Sequence, residues 1–172
     1  MFDILKDSLT ILQTSPQRWE DLTQTLSADL LERQPAMGEW SALDCLQHLV
    51  DTERWVFPVR VRCFLAGDDF PAFDPDSQGD VSKRVLSAVA LFEEFKAMRN
   101  DSLVLLETLT PADLKRKAVH GELGPVTLAE MLNEWAAHDL MHTVQAEQAL
   151  MQPFIQGCGP WQVYFKDHIV EN

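Results

Sequence analysis

The chain has 172 residues, 46% of them apolar, enough for one domain with a self-sufficient core and too few for two. Twenty-seven acidic against fourteen basic side chains leave a formal charge of −13. That field repels phosphate backbones and anionic lipid, so neither nucleic acid nor a membrane surface is expected as a partner. Cys45, Cys63 and Cys158 cannot all pair with one another, no signal peptide is visible, and no apolar run approaches the roughly 20 residues that span a bilayer. A reduced, cytoplasmic, single domain over 1–172 is expected.

The glycines fall between long stretches of helical periodicity, and no alternating β-branched run of useful length occurs, so the chain reads as all-α. The first stretch carries Ile4, Leu5, Leu9, Ile11 and Leu12. Ser15-Pro16 then offers a new start, an N-cap residue before a proline, so one helix kinked there or two in sequence are expected up to about Leu26. A short turn of helix follows at 27–31, and 34–39 is loop. Ser41 caps a long helix from Ala42 to about Ala66, which Pro58 should kink or break locally.

The connection from Gly67 to Asp80, with Pro71 and Pro75, is long and is expected to wall a pocket. A third helix is expected from Val81 to about Leu109, and Thr110-Pro111 starts a short one. A loop containing His120, Gly121, Gly124 and Pro125 leads to Thr127. Thr127 caps a fourth long helix ending near Met151 and Pro153. The segment 152–172 is unassigned. Four long helices joined by long connections suggest a bundle with a site built at one end.

The chemistry concentrates in the fourth helix. His138 and His142 are spaced i, i+4, so their rings stand one above the other. At about 100° per residue, Leu128, Met131, Trp135 and Ala146 share their quadrant, and both imidazoles face the apolar stripe. Such a pair can chelate one metal ion. His48, two turns into the second long helix, lies at the edge of its own stripe. A lone histidine there is more often a core residue than a ligand, but side-by-side packing would bring it to His138. Three neutral imidazoles with an open position describe a reactive centre.

Glu53 and Arg60 also fall on the core face of their helix. Buried charges of that kind should be paired, with each other or with Arg99, or else Glu53 contacts the site or its substrate. Asp139 either orients a ligand imidazole or caps a neighbouring group. His120 and His168 are expected to be exposed. Trp55 and Trp135 lie near the faces of the histidines, where one of them could wall the pocket. No phosphate-binding glycine loop, nucleophile elbow or paired CxxC is present.

Trp40-Ser41, His48-Leu49, Glu53, the run Gly124-Pro125-Val126-Thr127-Leu128 and His138-Asp139-Leu140-Met141-His142 together resemble the DinB-like (DinB/YfiT-like) superfamily, over about 15–151. The resemblance implies an up-up-down-down four-helix bundle with a divalent metal, zinc or nickel, held by His48, His138 and His142. Characterised relatives include transferases and isomerases dependent on low-molecular-weight thiols, and family members are often dimers. A thiol-dependent S-transferase or isomerase acting on a small molecule, as a homodimer, is therefore expected. A metal-dependent hydrolase with Glu53 or Glu134 as base, and a non-enzymatic stress-associated metal-binding module, are the alternatives. An open coordination position favours an enzyme.

Overall fold

The computed structural model describes residues 3–73 and 86–170. Helix α1 (Ile4–Thr25) is capped by the Asp3 side chain and runs without interruption through Pro16. No new start occurs at Ser15. A proline inside a helix leaves the carbonyl four residues earlier without its N–H partner, here that of Leu12. That carbonyl instead accepts a hydrogen bond from Arg99 Nη1 at 3.0 Å, so the defect becomes a tertiary contact.

After the short α2 (Ala28–Leu31), the Ser41–Asp44 capping box starts α3 (Ala42–Trp55). The long helix breaks where expected: Val56 leaves helical geometry (φ −116°, ψ −81°), and Pro58 sits in the first turn of α4 (Phe57–Ala66). Helix α5 (Ala88–Leu106) begins at its cap Ser87; the first residues of the expected third helix, 81–85, lie outside the described residues. The short helix expected at Thr110 is a 3₁₀ turn, Asp113–Lys115. Helix α6 (Leu128–Gly157) continues past Pro153, beyond its expected end. A 3₁₀ segment, Gly159–His168, then folds back along α6. Buried Gln152 ties this segment down, donating to the His168 carbonyl at 2.9 Å and accepting from Val170 N–H at 3.1 Å.

The all-α reading needs one correction. Strands β1 (Lys117–His120) and β2 (Gly124–Thr127) form an antiparallel hairpin, with Lys117 opposite Thr127 and His120 opposite Gly124. Each strand is only four residues, and β2 contains Pro125, so the alternation falls below the length at which a pattern is legible. The hairpin matters because the connection after α4 packs on it. Phe70 and His120 form a β-bridge, and a Cβ added at Gly121 would come within 3.1 Å of Ala72 N.

The four-helix bundle expected from the sequence is present, and the structure is mostly helical. Its helix directions differ from the up-up-down-down order that the resemblance implied. Two apolar clusters mark the ends: one contains Leu12, Val56–Phe64, Leu106 and Leu128–Trp135, the other Trp19, Ala42–Val50, Leu91–Phe95 and Ala146–Leu150. Helices α1 and α6 run from the first cluster to the second, whereas α3–α4 and α5 run from the second to the first. The order is up-down-down-up. Both α1 and α3 pack chiefly on α5 and α6. Helix α4 ends and α5 begins at opposite ends of the bundle. None of the described helices is long and apolar enough to cross a membrane.

Arg99 is fully buried between two carboxylates. Its Nε donates to Glu53 Oε1 at 2.7 Å, and its two Nη atoms donate to both oxygens of Asp139 at 2.6 and 3.0 Å. Ser102 donates to the other Glu53 oxygen at 2.6 Å. With the Leu12 contact, one guanidinium joins all four layers of the bundle. Arg99→Met should cost about 3–5 kcal/mol, because two buried carboxylates lose their cation. Glu53→Gln should cost less, since Asp139 still neutralises Arg99. Urea midpoints of the two variants that coincide would contradict this ordering.

Candidate metal centre

Two capping boxes set the phase of the helices that carry the histidines. In the first, Asp44 N donates to Ser41 Oγ and Ser41 N to Asp44 Oδ2, at 3.1 and 2.9 Å. In the second, Glu130 N donates to Thr127 Oγ1 and Thr127 N to Glu130 Oε2, at 3.3 and 2.7 Å. With both starts fixed, His48 on α3 points to the interhelical seam where His138 and His142 project from successive turns of α6. One ring nitrogen from each of the three lies within 4.8 Å of the others. His48 Nε2 and His138 Nε2 are 3.1 Å apart.

The surrounding side chains orient the rings. His142 Nδ1 meets Gln145 Oε1 at 2.9 Å, and since that oxygen only accepts, Nδ1 carries the proton. The lone pair on Nε2 is then directed to the other two histidines, as a ligand imidazole requires. Trp40 stacks on His142 (5.6 Å between centroids, 21° between planes) and tilts against His48 at 5.0 Å. Phe57 meets His138 edge-on at 5.1 Å, and Phe73 of the connection lies 6.4 Å from His48. A cleft of about 380 Å³ opens beside Trp40 and Gln145.

Burial and mutual repulsion hold the imidazoles neutral. His138 is pushed down to about 3, mainly by burial, then by His142 and His48. His48 is pushed down to about 4, again by burial first and His142 second. Burial also lowers His142, against the opposing pulls of Gln145 and Asp139. Three neutral nitrogen donors, one with its tautomer set, match the donor chemistry of a divalent zinc- or nickel-type site.

The sequence model of the DinB superfamily matches residues 11–146 of the chain. The chain belongs to the DinB superfamily. This DinB-superfamily fold is similar to that of YfiT from Bacillus subtilis, described as a probable metal-dependent hydrolase with an unusual four-helix bundle topology. The TM-score is 0.76 at 16% identity, over 87% of each chain. A mutant of the mycothiol-dependent maleylpyruvate isomerase matches with a TM-score of 0.62 at 13% identity, over 85% of this chain and 63% of that one. At such identities the likeness is one of fold. No curated protein matches the chain by sequence.

The remaining candidates of this DinB-superfamily chain separate into three groups. Glu53 pairs with Arg99, not with Arg60, and burial raises its pKa despite Arg99 and Ser102. Asp139 is also committed to Arg99, leaving buried His138 Nδ1 without a partner among the described residues. Arg60 faces His120 and Glu134. His120 is buried, against expectation, because the hairpin presses it onto Phe70; His168 is exposed as expected.

Trp55 is 51% exposed, and Trp135 stacks on the far side of Phe57. The tryptophan against the histidines is Trp40. Sequence reasoning also missed Gln145, whose i, i+3 spacing from His142 was the available signal. All three cysteines are free thiols. Of the connection expected to wall a pocket, Phe73 reaches His48, and the part from 74 onward lies outside the described residues.

The lowered histidine pKa values set the pH dependence of the metal-free protein. Unfolded histidines take up protons near pH 6.5, whereas His48 and His138 in the folded chain resist until about 4 and 3. Between those values the unfolded chain binds more protons, so stability should fall as the pH drops from about 6.5 toward 4. Thermal melts across that window should show a shallower slope in a His48→Gln/His138→Gln double variant. An unchanged slope would place the two rings in solvent.

Proposed function

We propose that this protein is a metal-dependent enzyme in which His48, His138 and His142 hold one divalent ion, zinc or nickel, for thiol transfer or isomerisation. The carrying observation is the donor set itself: three convergent ring nitrogens within 4.8 Å of one another, with no carboxylate in the cluster among the described residues. Neutral ligands leave the full charge of the ion on its open position, which stabilises an anion there, a thiolate in this reading. When bound, the ion would supply Lewis acidity and lower the pKa of a thiol brought by a low-molecular-weight cosubstrate.

The residues of the chain have distinct tasks in this reading. Gln145 holds His142 in its ligand tautomer, and Phe57 and Trp40 keep two sides of the site dry. A metal-dependent hydrolase is the second reading. It is favoured by Glu134, one turn before His138 on α6, whose pKa burial raises against the pull of Arg60, as suits a general base. The likeness of fold to YfiT supports the metal, and the likeness to the mycothiol-dependent isomerase supports the thiol.

Elemental analysis of tag-free protein should find one divalent ion per chain, lost in His48→Ala, His138→Ala and His142→Ala. Gln145→Leu should retain the ion about 10-fold more weakly, as for other partners of ligand histidines. Protein loaded with zinc or nickel should then conjugate mycothiol, bacillithiol or glutathione to an electrophile above the His138→Ala background. Tight metal binding with no conjugation, but hydrolysis of an ester or amide, would select the second reading. Equal metal content in the triple alanine variant would refute the site.

A further inference from the structure

A second polar cluster lies one turn of α6 from the histidines, and the activity proposed above leaves most of it unused. Arg60 on α4 and His120 at the end of β1 are both more than nine-tenths buried, at 7% and 8% exposure. Arg60 Nη2 lies 3.2 Å from His120 Nε2. On the far side of the same ring, His120 Nδ1 accepts from the backbone N–H groups of Glu122 and Leu123 at 3.1 and 3.2 Å.

Those contacts decide the tautomer. A backbone amide can only donate, so Nδ1 carries no proton and the neutral ring keeps its proton on Nε2. A guanidinium can also only donate. Two buried donors therefore face each other, and among the described residues no acceptor is hydrogen-bonded to both. Such an arrangement is costly in a protein interior unless an acceptor enters it.

The carboxylate of Glu134 lies 3.8 Å from Arg60 Nη1. That separation exceeds a hydrogen bond. The Glu134 side chain is 53% exposed, so it stands at the entrance and can swing out. Phe70 packs against the guanidinium, with the Arg60 carbon 5.2 Å from the ring centroid, and closes one side of it.

We propose that Arg60 and His120 form a binding site for a single carboxylate, with Glu134 at its mouth as the group the ligand displaces. The planar guanidinium fork matches a carboxylate, and the imidazole N–H supplies a second donor direction. The charge balance argues against a phosphate dianion: one guanidinium stands beside one resident carboxylate on a chain of net charge −13. Glu134, His138 and His142 follow at i, i+4 and i+8 on one face of α6, with a rise of about 6 Å per step. A carboxylate held here therefore anchors a small molecule about one helical turn from the histidines. Its assignment as the substrate's carboxylate rests on the function proposed above; the binding itself does not.

The probe is propionate, titrated into the full-length protein with and without zinc and followed by the NMR signals of the His120 ring. Propionamide and inorganic phosphate are the controls. Propionate should shift the His120 signals and saturate, with or without zinc, and propionamide should not. Arg60→Gln should weaken propionate at least 10-fold. Glu134→Gln, at a half-exposed position that folding does not depend on, should tighten it several-fold by removing the competing carboxylate. Equal response to propionamide, tighter binding of phosphate, or unchanged affinity in Glu134→Gln would each overturn the proposal. If His138→Ala keeps its zinc while propionate still binds, the metal reading fails and the carboxylate site stands.

Discussion

A buried guanidinium between two buried carboxylates is stable only when every one of its partners is held in place. Arg99 meets that condition by drawing on all four helices of the bundle: Leu12 from α1, Glu53 from α3, its own position on α5, and Asp139 from α6. The stacking of its guanidinium near Phe95 and Trp135 seals the cluster from water. Two of its partners are tied to the histidine cluster by sequence. Asp139 immediately follows His138, and Glu53 comes five residues after His48. The network that locks the helices together therefore also sets the spacing of the histidines across the α3–α6 seam.

The two polar clusters of the interior have opposite electrostatic characters. Around Arg99, two carboxylates and one cation are mutually satisfied, apart from the burial that raises the pKa of Glu53. At the histidines no compensating anion is in contact among the described residues, because Asp139 spends both oxygens on Arg99. Desolvation then dominates, and the rings stay neutral well below the usual histidine range. That neutrality is what a cation needs from its ligands. An apolar shell of Trp40, Phe57 and Phe73 sustains it.

Topology explains why the chain needs a long connection after α4. Helices α3–α4 and α5 run parallel, and parallel neighbours cannot be joined by a short hairpin turn. The first residues of the connection pair Phe70 with His120 and place Phe73 near His48. The hairpin β1–β2 serves as the surface on which Phe70, Pro71 and Ala72 lie. It buries His120 against Phe70 and opposite Arg60, which brings the second polar cluster within a turn of the first.

Local signals made much of the protein legible in advance. Periodicity and caps at Ser41 and Thr127 marked α3 and α6, and the i, i+4 spacing put His138 and His142 on one inward face. Glu53 and Arg60 could be recognised as core-facing charges because their positions on the helical wheel are set by the sequence alone. Pairing could not be read in the same way: Arg99 and Arg60 were equivalent candidates for Glu53, and only the packing of α5 against α3 and α6 chose between them. Continuity of α1 through Pro16 depends on Arg99 reaching the Leu12 carbonyl from 87 residues away. The burial of His120, the contact of Trp40 with the histidines and the order of helix directions are likewise properties of segments distant in the chain. Short-range chemistry is written in neighbouring residues, whereas the partner of a buried charge is decided by which helices meet.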